Sequence, residues 1–82
     1  MVNGETTVLD LKGLKCPLPV LRTRKALSGL NAGARIWIET TDPLAVIDIP
    51  SFCQQNGHRL VDTAAQESGH RFLIERGQDQ AR

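Results

Sequence analysis

The chain has 82 residues, 40% of them hydrophobic, and a formal net charge of +1 at pH 7. This length predicts one small domain, residues 1–82, with a single core. The near-neutral charge excludes a general attraction to nucleic acid or anionic membranes. No apolar run approaches the roughly 18 residues of a membrane span, and residues 1–5 do not read as a signal peptide. Two cysteines cannot form the multi-bridge framework of a small secreted domain, so we expect a reduced, cytoplasmic protein.

The first two elements in chain order are predicted to be a strand and an amphipathic helix. Residues 7–11, Thr-Val-Leu-Asp-Leu, alternate as a half-buried strand does. A loop over 12–16 follows, with Gly13 as its flexible point. From residue 17 to residue 30, apolar side chains recur every three or four positions, which predicts a helix that ends at Asn-Ala-Gly, 31–33.

The second half of the chain predicts another strand, a bent helix and two final strands. The side chains of residues 34–40 alternate between two faces, which predicts a strand. Asp42 suits the N-cap of a helix that runs to residue 56, and Pro50 predicts a bend that divides this helix, with Asp48 capping the second piece. Residues 58–64 and 70–76 are typical of strands joined by a polar connection.

The order β-α-β-α-β-β predicts a two-layer α/β (α+β) sandwich. A four-stranded mixed sheet would carry both helices on one face, because two helices cover only one side of such a sheet. Trp37 would lie on the open face. The polar ends, residues 1–6 and 77–82, are expected to fray.

Cys16 is the candidate reactive residue, because it lies in a loop between a strand and a helix rather than among core-type neighbours. Lys12 and Lys15 are close in sequence, and the adjoining helix N-terminus also favours the thiolate, the reactive form of cysteine. Pro17 and Pro19 lose no helical hydrogen bonds in a first turn and fix φ, so they would stiffen this tip. A nucleophile, a sulfur carrier and a redox sensor are all open at this point.

The distribution of charge adds a weaker indication. Residues 1–41 hold six basic and three acidic side chains, whereas residues 42–82 hold four basic and six acidic ones. The basic half contains Cys16. We therefore expect a weakly positive surface that would help an acidic partner approach the thiol, although such a small field is easily screened.

Cys53 and the two histidines are weaker candidates. Cys53 is predicted to be a core residue, with a resolving thiol for Cys16 as the alternative. His58 and His70 lack the close spacing to a cysteine that a zinc site shows, so no metal is expected. His58 directly follows Gly57 at a helix end, where a positive charge is favourable.

Four other residues are candidates for a partner surface. Trp37 would either pack across the open sheet face or contact a partner. Arg22, Arg24 and Lys25 read most simply as one solvated helix face that could also meet an acidic partner.

A family resemblance covers nearly the whole domain. Residues 9–27, with Gly-Leu-Lys-Cys-Pro-Leu-Pro-Val at their centre, resemble the N-terminal signature of the TusA/SirA family of sulfur-carrier proteins. Further matches are Thr-Asp-Pro at 41–43, Asp-Ile-Pro-Ser-Phe-Cys at 48–53 and Gly-His-Arg-Leu at 57–60. The resemblance spans roughly residues 8–76 and includes the predicted order of elements. Leu18 departs from it, since the tRNA-thiolation members commonly have Glu there.

The resemblance implies a sulfurtransferase-type carrier rather than a complete turnover enzyme. Cys16 of the Cys-Pro-x-Pro motif would carry a transient persulfide, with no other cofactor, while Lys12 and Lys15 stabilise the anion. Gly13, Pro17 and Pro19 would shape the tip. The partners implied are a cysteine desulfurase or rhodanese-like donor and an acceptor in tRNA thiolation, molybdenum-cofactor assembly or sulfur metabolism. We expect the carrier to be a monomer.

Two alternatives come from other functional classes. A regulatory module could bind RNA or protein on the open sheet face, since the fold resembles the C-terminal domain of a translation initiation factor. The small net charge and the lack of an aromatic–basic stripe weigh against stable nucleic-acid binding. A redox sensor using Cys16 and Cys53 would lack the compact Cys-x-x-Cys spacing.

Overall fold

The computed structural model of the chain describes residues 7–77. Its elements are β1 (Thr7–Leu11), α1 (Leu18–Ser28), β2 (Arg35–Thr40), α2 (Ala45–Gln55), β3 (Arg59–Gln66) and β4 (Gly69–Glu75). The predicted order of elements is confirmed, and the element ends differ from the predicted ones by at most two residues.

The four strands form a mixed sheet in the order β1-β2-β4-β3, with β1 and β2 parallel and the other two pairs antiparallel. Alternation along the central strands β2 and β4 sends Ile36, Ile38, Phe72 and Ile74 into the core, where helix residues meet them. Trp37 points to the opposite face, as predicted from its position in β2.

The core is built from one stripe of each helix packed on this sheet face. Its buried members are Leu11, Leu27, Ile36, Ile38, Ala45, Ile49, Phe52, Cys53, Phe72 and Ile74. The predicted two-layer sandwich is therefore confirmed. Neither described helix is long and apolar enough to cross a membrane.

Helix α2 is continuous, so the predicted division of the helix at Pro50 is wrong. The helix runs through Pro50, which lacks the N–H that would bond the Val46 carbonyl. The predicted caps also differ: Leu44 is the N-cap, and Asp42 forms the preceding turn by accepting the Leu44 N–H at 3.2 Å.

Hydrogen bonds connect the residues that follow β4 to the rest of the fold. The Arg76 N–H donates to the Ala34 carbonyl at 2.7 Å, and Arg76 Nε donates to the Leu27 carbonyl at 2.8 Å. The Gly77 N–H donates to His58 Nδ1 at 3.0 Å, and a Cβ at Gly77 would lie 1.8 Å from the Gly57 carbonyl oxygen. Gly77 thus belongs to the fold, although 77–82 was predicted to fray. Residues 1–6 and 78–82 lie outside the described residues.

His58 does not act as the predicted positive helix cap. Its Nδ1 accepts a hydrogen bond, its ring lies 5.5 Å from that of Phe52, and partial burial followed by the charge of Arg76 lowers its pKa. The imidazole is held neutral instead.

Candidate functional site

The loop between β1 and α1 is anchored to the segment that follows β2. Because β1 and β2 are parallel neighbours, with Leu11 beside Thr40, the loops at their carboxyl ends meet at one edge of the sheet. Gly13, at φ +86°, donates its N–H to Thr41 Oγ1 at 2.9 Å. These contacts place the Cys16 loop against the start of α2.

Cys16 is bound by two carboxylates that the sequence analysis did not assign to it. Its backbone N–H donates to Asp42 Oδ2 at 2.5 Å. Its Sγ donates to Asp48 Oδ2 at 2.9 Å, across 32 residues of sequence. Asp48 lies in the first turn of α2 and is half-buried, whereas Cys16 is exposed.

This setting favours the thiol rather than the thiolate. The hydrogen bond to Asp48 raises the pKa of Cys16, with further contributions from desolvation and from the charges of Asp48 and Asp42. A carboxylate that accepts the thiol proton stabilises the neutral form, and a negative charge nearby disfavours the anion. The prediction that this setting favours the thiolate is therefore wrong.

The two lysines are placed differently from each other. Lys12 Nζ lies 3.0 Å from Glu39 Oε1 and 3.6 Å from Asp10 Oδ1, and these carboxylates raise the pKa of Lys12. Asp10 and Glu39 face each other in the β1–β2 register, so they draw Lys12 toward the sheet. Lys15 is exposed and directly precedes Cys16, which leaves it as the better candidate to stabilise an anion there.

The prolines stand at the start of α1. Pro17 is the N-cap and follows a cis peptide bond from Cys16, and Leu18 is the first helical residue. Pro19 comes second and is buried. Both prolines therefore stand at the start of the helix, where backbone N–H groups have no intrahelical partner. The helix begins at Leu18, one residue later than predicted.

A groove of about 280 Å³ opens beside Cys16 between the two helices. Val20 and Phe52 contribute apolar walls, and Arg24 contributes a cation to the same groove. Arg22 and Lys25 line a separate depression along β1. The three cations predicted to share one face thus lie on two sides of α1, and only Arg24 is on the side of Cys16.

The profile of a protein family described as Sulfurtransferase TusA matches residues 7–76 of this chain. The chain belongs to the TusA family. A candidate sulfur carrier protein of Neisseria meningitidis serogroup A is 40% identical over 74 residues, which are 90% of this chain and 97% of that protein. The sulfur carrier protein TusA of Allochromatium vinosum is 37% identical over 68 residues, 83% of this chain and 90% of that one.

A solved structure shares the TusA fold of this chain. The crystal structure of a SirA-like protein from Desulfitobacterium hafniense superposes with a TM-score of 0.77, covering 89% of this chain and 100% of that chain at 21% identity. This likeness supports the two-layer architecture and the order of its elements.

The ends of α1 and α2 nearest Cys16 carry exposed apolar side chains that the sequence analysis of this TusA-family member missed. Leu44 is 50% exposed and Ile47 is 66% exposed, at the start of α2, and Leu18 is exposed at the start of α1. We call these three residues the apolar rim. Leu44 and Ile47 are three apart, a spacing that signals a shared face, but the sequence does not show that this face is unpacked.

Trp37 lies on the sheet face away from the helices of the TusA fold, and hence away from the Cys16 groove. The guanidinium of Arg71 lies 4.3 Å from the centre of its ring. Arg71 Nε is 3.3 Å from Glu39 Oε2, an ion pair without hydrogen-bond alignment. Trp37 therefore packs across strands, and its contact with a partner stays a prediction.

Cys53 is a core residue, as its sequence neighbours predicted. It is 2% exposed, and burial raises its pKa to about 11. Both cysteines are free thiols. Within residues 7–77, no three Cys, His, Asp or Glu side chains cluster so that they could hold a metal ion.

Proposed function

We propose that this protein accepts a sulfane sulfur on Cys16 as a persulfide and relays it to an acceptor. The observation that carries the proposal is the contrast between the chain's two cysteines in a TusA-family fold: Cys16 is exposed at a loop tip, and Cys53 is buried. Only Cys16 is open to a second protein. The family's sulfur-carrier relatives support the same role.

The transfer needs no oxidant and no cofactor beyond the persulfide itself. Cys16 Sγ attacks the terminal sulfur of a donor persulfide, the donor's S–S bond breaks, and the donor sulfur leaves with the electron pair. The proton of the Cys16 thiol ends on the donor thiolate. Delivery repeats this exchange with the acceptor as attacking thiolate and Cys16 Sγ as the leaving group. The chain is thus a carrier between two reactions rather than a complete turnover enzyme.

Features around Cys16 are suited to brief contacts with two partners. The apolar rim can be covered by a docking protein, and Lys15 and Arg24 can meet negative groups. Pro17 and Pro19 stiffen the turn that presents the sulfur.

The partners in this proposal are a cysteine desulfurase or rhodanese-like donor and an acceptor in tRNA thiolation, molybdenum-cofactor assembly or sulfur metabolism. We place the carrier in the cytoplasm, where thiols stay reduced, as a monomer that meets these partners in turn.

Loading by a desulfurase tests the proposal. After incubation with a cysteine desulfurase and cysteine, intact-mass analysis should show the gain of one sulfur atom. Cys16→Ser should abolish this gain, and Cys53→Ala, the matched cysteine control, should preserve it. A wild-type protein that gains no sulfur, or one whose sulfur lies on Cys53, would overturn the proposal.

A further inference from the structure

The carboxylate of Asp48 contacts Sγ of Cys16, the atom that reacts in the proposed transfer. It accepts the hydrogen of Cys16 Sγ at 2.9 Å, while Asp42 holds the backbone N–H of the same residue. The loop is thus fixed through its backbone by one carboxylate, and the sulfur is bound by the other. The two contacts can be changed separately.

The contact with Asp48 depends on the charge state of the sulfur. A thiol can donate to a carboxylate, but a persulfide anion has no hydrogen to donate and carries the same charge as its neighbour. Persulfides are more acidic than the corresponding thiols, so a loaded Cys16 is the more anionic state at neutral pH. Asp48 therefore binds the empty carrier and repels the loaded one.

Other charged groups of the described residues also lie near this contact. Asp42 is the second carboxylate and adds to the repulsion. Arg24 faces the groove from α1, and Lys15 directly precedes Cys16 in the chain. Among the carboxylates of residues 7–77, only Asp48 contacts Sγ, so its charge acts most directly on the two states of the sulfur.

We propose that Asp48 is a positioning residue that lowers the retention of sulfur by Cys16, because it stabilises the empty thiol and repels the loaded persulfide. This inference rests on the function proposed above. It gives the carrier a bias toward delivery: sulfur leaves for an acceptor in which the persulfide has no carboxylate beside it. It also keeps the empty thiol protonated until a donor docks.

The preference of Cys16 for the empty state can be measured by sulfur exchange with a small thiol. The glutathione persulfide anion and the Cys16 thiol exchange one sulfane sulfur to give glutathione, which takes up the proton of the thiol, and the Cys16 persulfide anion. One S–S bond breaks and one forms, and the net oxidation state does not change. At a fixed ratio of glutathione persulfide to glutathione, intact mass gives the ratio of loaded to empty carrier.

Asp48→Asn removes the charge and keeps the size of the side chain. At neutral pH its loaded-to-empty ratio should exceed that of the wild type about tenfold, as expected for removing one adjacent like charge. Asp48→Ser supplies a second neutral variant if Asn perturbs α2. Asp48→Glu should remain closer to the wild type, and Asp62→Asn, an equivalent change at an exposed position on β3, should match the wild type.

The pH profile of alkylation by iodoacetamide, read at Cys16 by peptide mapping, separates a charge effect from a merely structural one. The pH at the midpoint of this alkylation profile should be lower in both neutral variants than in the wild type, and it should be unchanged in Asp62→Asn. The inference is overturned if wild type and neutral variants load to the same ratio, whether or not the midpoint moves. If the wild type takes up no sulfur even from a donor enzyme, the proposed function itself fails.

Discussion

Asp42 joins Cys16 to the start of α2 through one carboxylate. Its Oδ2 accepts the Cys16 N–H, and its Oδ1 accepts the Leu44 N–H, so the reactive loop and the helix share an anchor. These contacts span 26 residues between Cys16 and Asp42 but only two between Asp42 and Leu44. The position of the sulfur therefore depends on how β1 and β2 bring their following loops together.

Replacing Asp42 should loosen this anchor. Asp42→Ala leaves two backbone N–H groups without their carboxylate partner, which should lower the free energy of unfolding by about 1–3 kcal/mol. Urea denaturation measures the change. Glu67→Ala, a change at an exposed position in the turn between β3 and β4, should stay within about 0.5 kcal/mol of the wild type. Equal effects of the two substitutions would contradict the role given to Asp42.

The neutral state of His58 predicts a loss of stability in acid. Its folded pKa lies below the usual 6.5, so as pH falls through this value the unfolded chain binds more protons than the folded one. The free energy of unfolding should therefore decrease as the pH falls from about 7.5 through the folded pKa of His58. Urea titrations of His58→Gln should show a smaller decrease. If His58→Gln loses as much unfolding free energy in acid as the wild type does, this would contradict the contact between His58 and Gly77.

The two cysteines should differ sharply in reactivity. Excess iodoacetamide should modify one thiol of the native protein, Cys16, and reach Cys53 only after denaturant is added. Cys53→Ser should also destabilise the fold by about 1–3 kcal/mol, because its hydroxyl would be buried among apolar side chains. Mass spectrometry of native and denatured samples distinguishes the sites. Early labelling of Cys53 would show that α2 opens readily.

The apolar rim should matter for protein partners and not for stability. Ile47→Ser removes apolar surface without adding a charge near Cys16, at a side chain that is 66% exposed, so its unfolding free energy should stay within about 0.5 kcal/mol of the wild type. Loading from a desulfurase should show a KM raised about tenfold, while loading from glutathione persulfide is unchanged. Val8→Ser, at an exposed apolar position on β1, is the control. Equal KM values for both variants would contradict a docking role for the rim.

Much of the fold follows from local patterns in the sequence. Alternation in residues 34–40 and the spacing of three and four in residues 17–30 predicted β2 and α1, because one face of each is buried. Pro50 predicted a division of α2, but the packing of Ala45, Ile49 and Phe52 into the core stabilises one continuous helix despite the missing N–H.

The chemistry of the site was less predictable than its location. The motif around Cys16 identified the exposed thiol. Neighbours in the sequence predicted lysines beside the sulfur, where the structure places the carboxylates of Asp42 and Asp48. Asp48 lies 32 residues away, and the register of β1 on β2 turns Lys12 toward Glu39. Both contacts depend on parallel strand pairing, which no local spacing reveals.

The central claim is that Cys16 carries sulfur from one protein to another, and a single-turnover relay tests it most directly. The protein is loaded with radiolabelled sulfur by a desulfurase, freed of donor, and mixed with an acceptor protein from tRNA thiolation, molybdenum-cofactor assembly or sulfur metabolism that has an exposed thiol. The account predicts that label leaves Cys16 and appears on the acceptor as persulfide, without passing through free sulfide. Label that stays on Cys16, or that reaches the acceptor only by way of released sulfide, would contradict it.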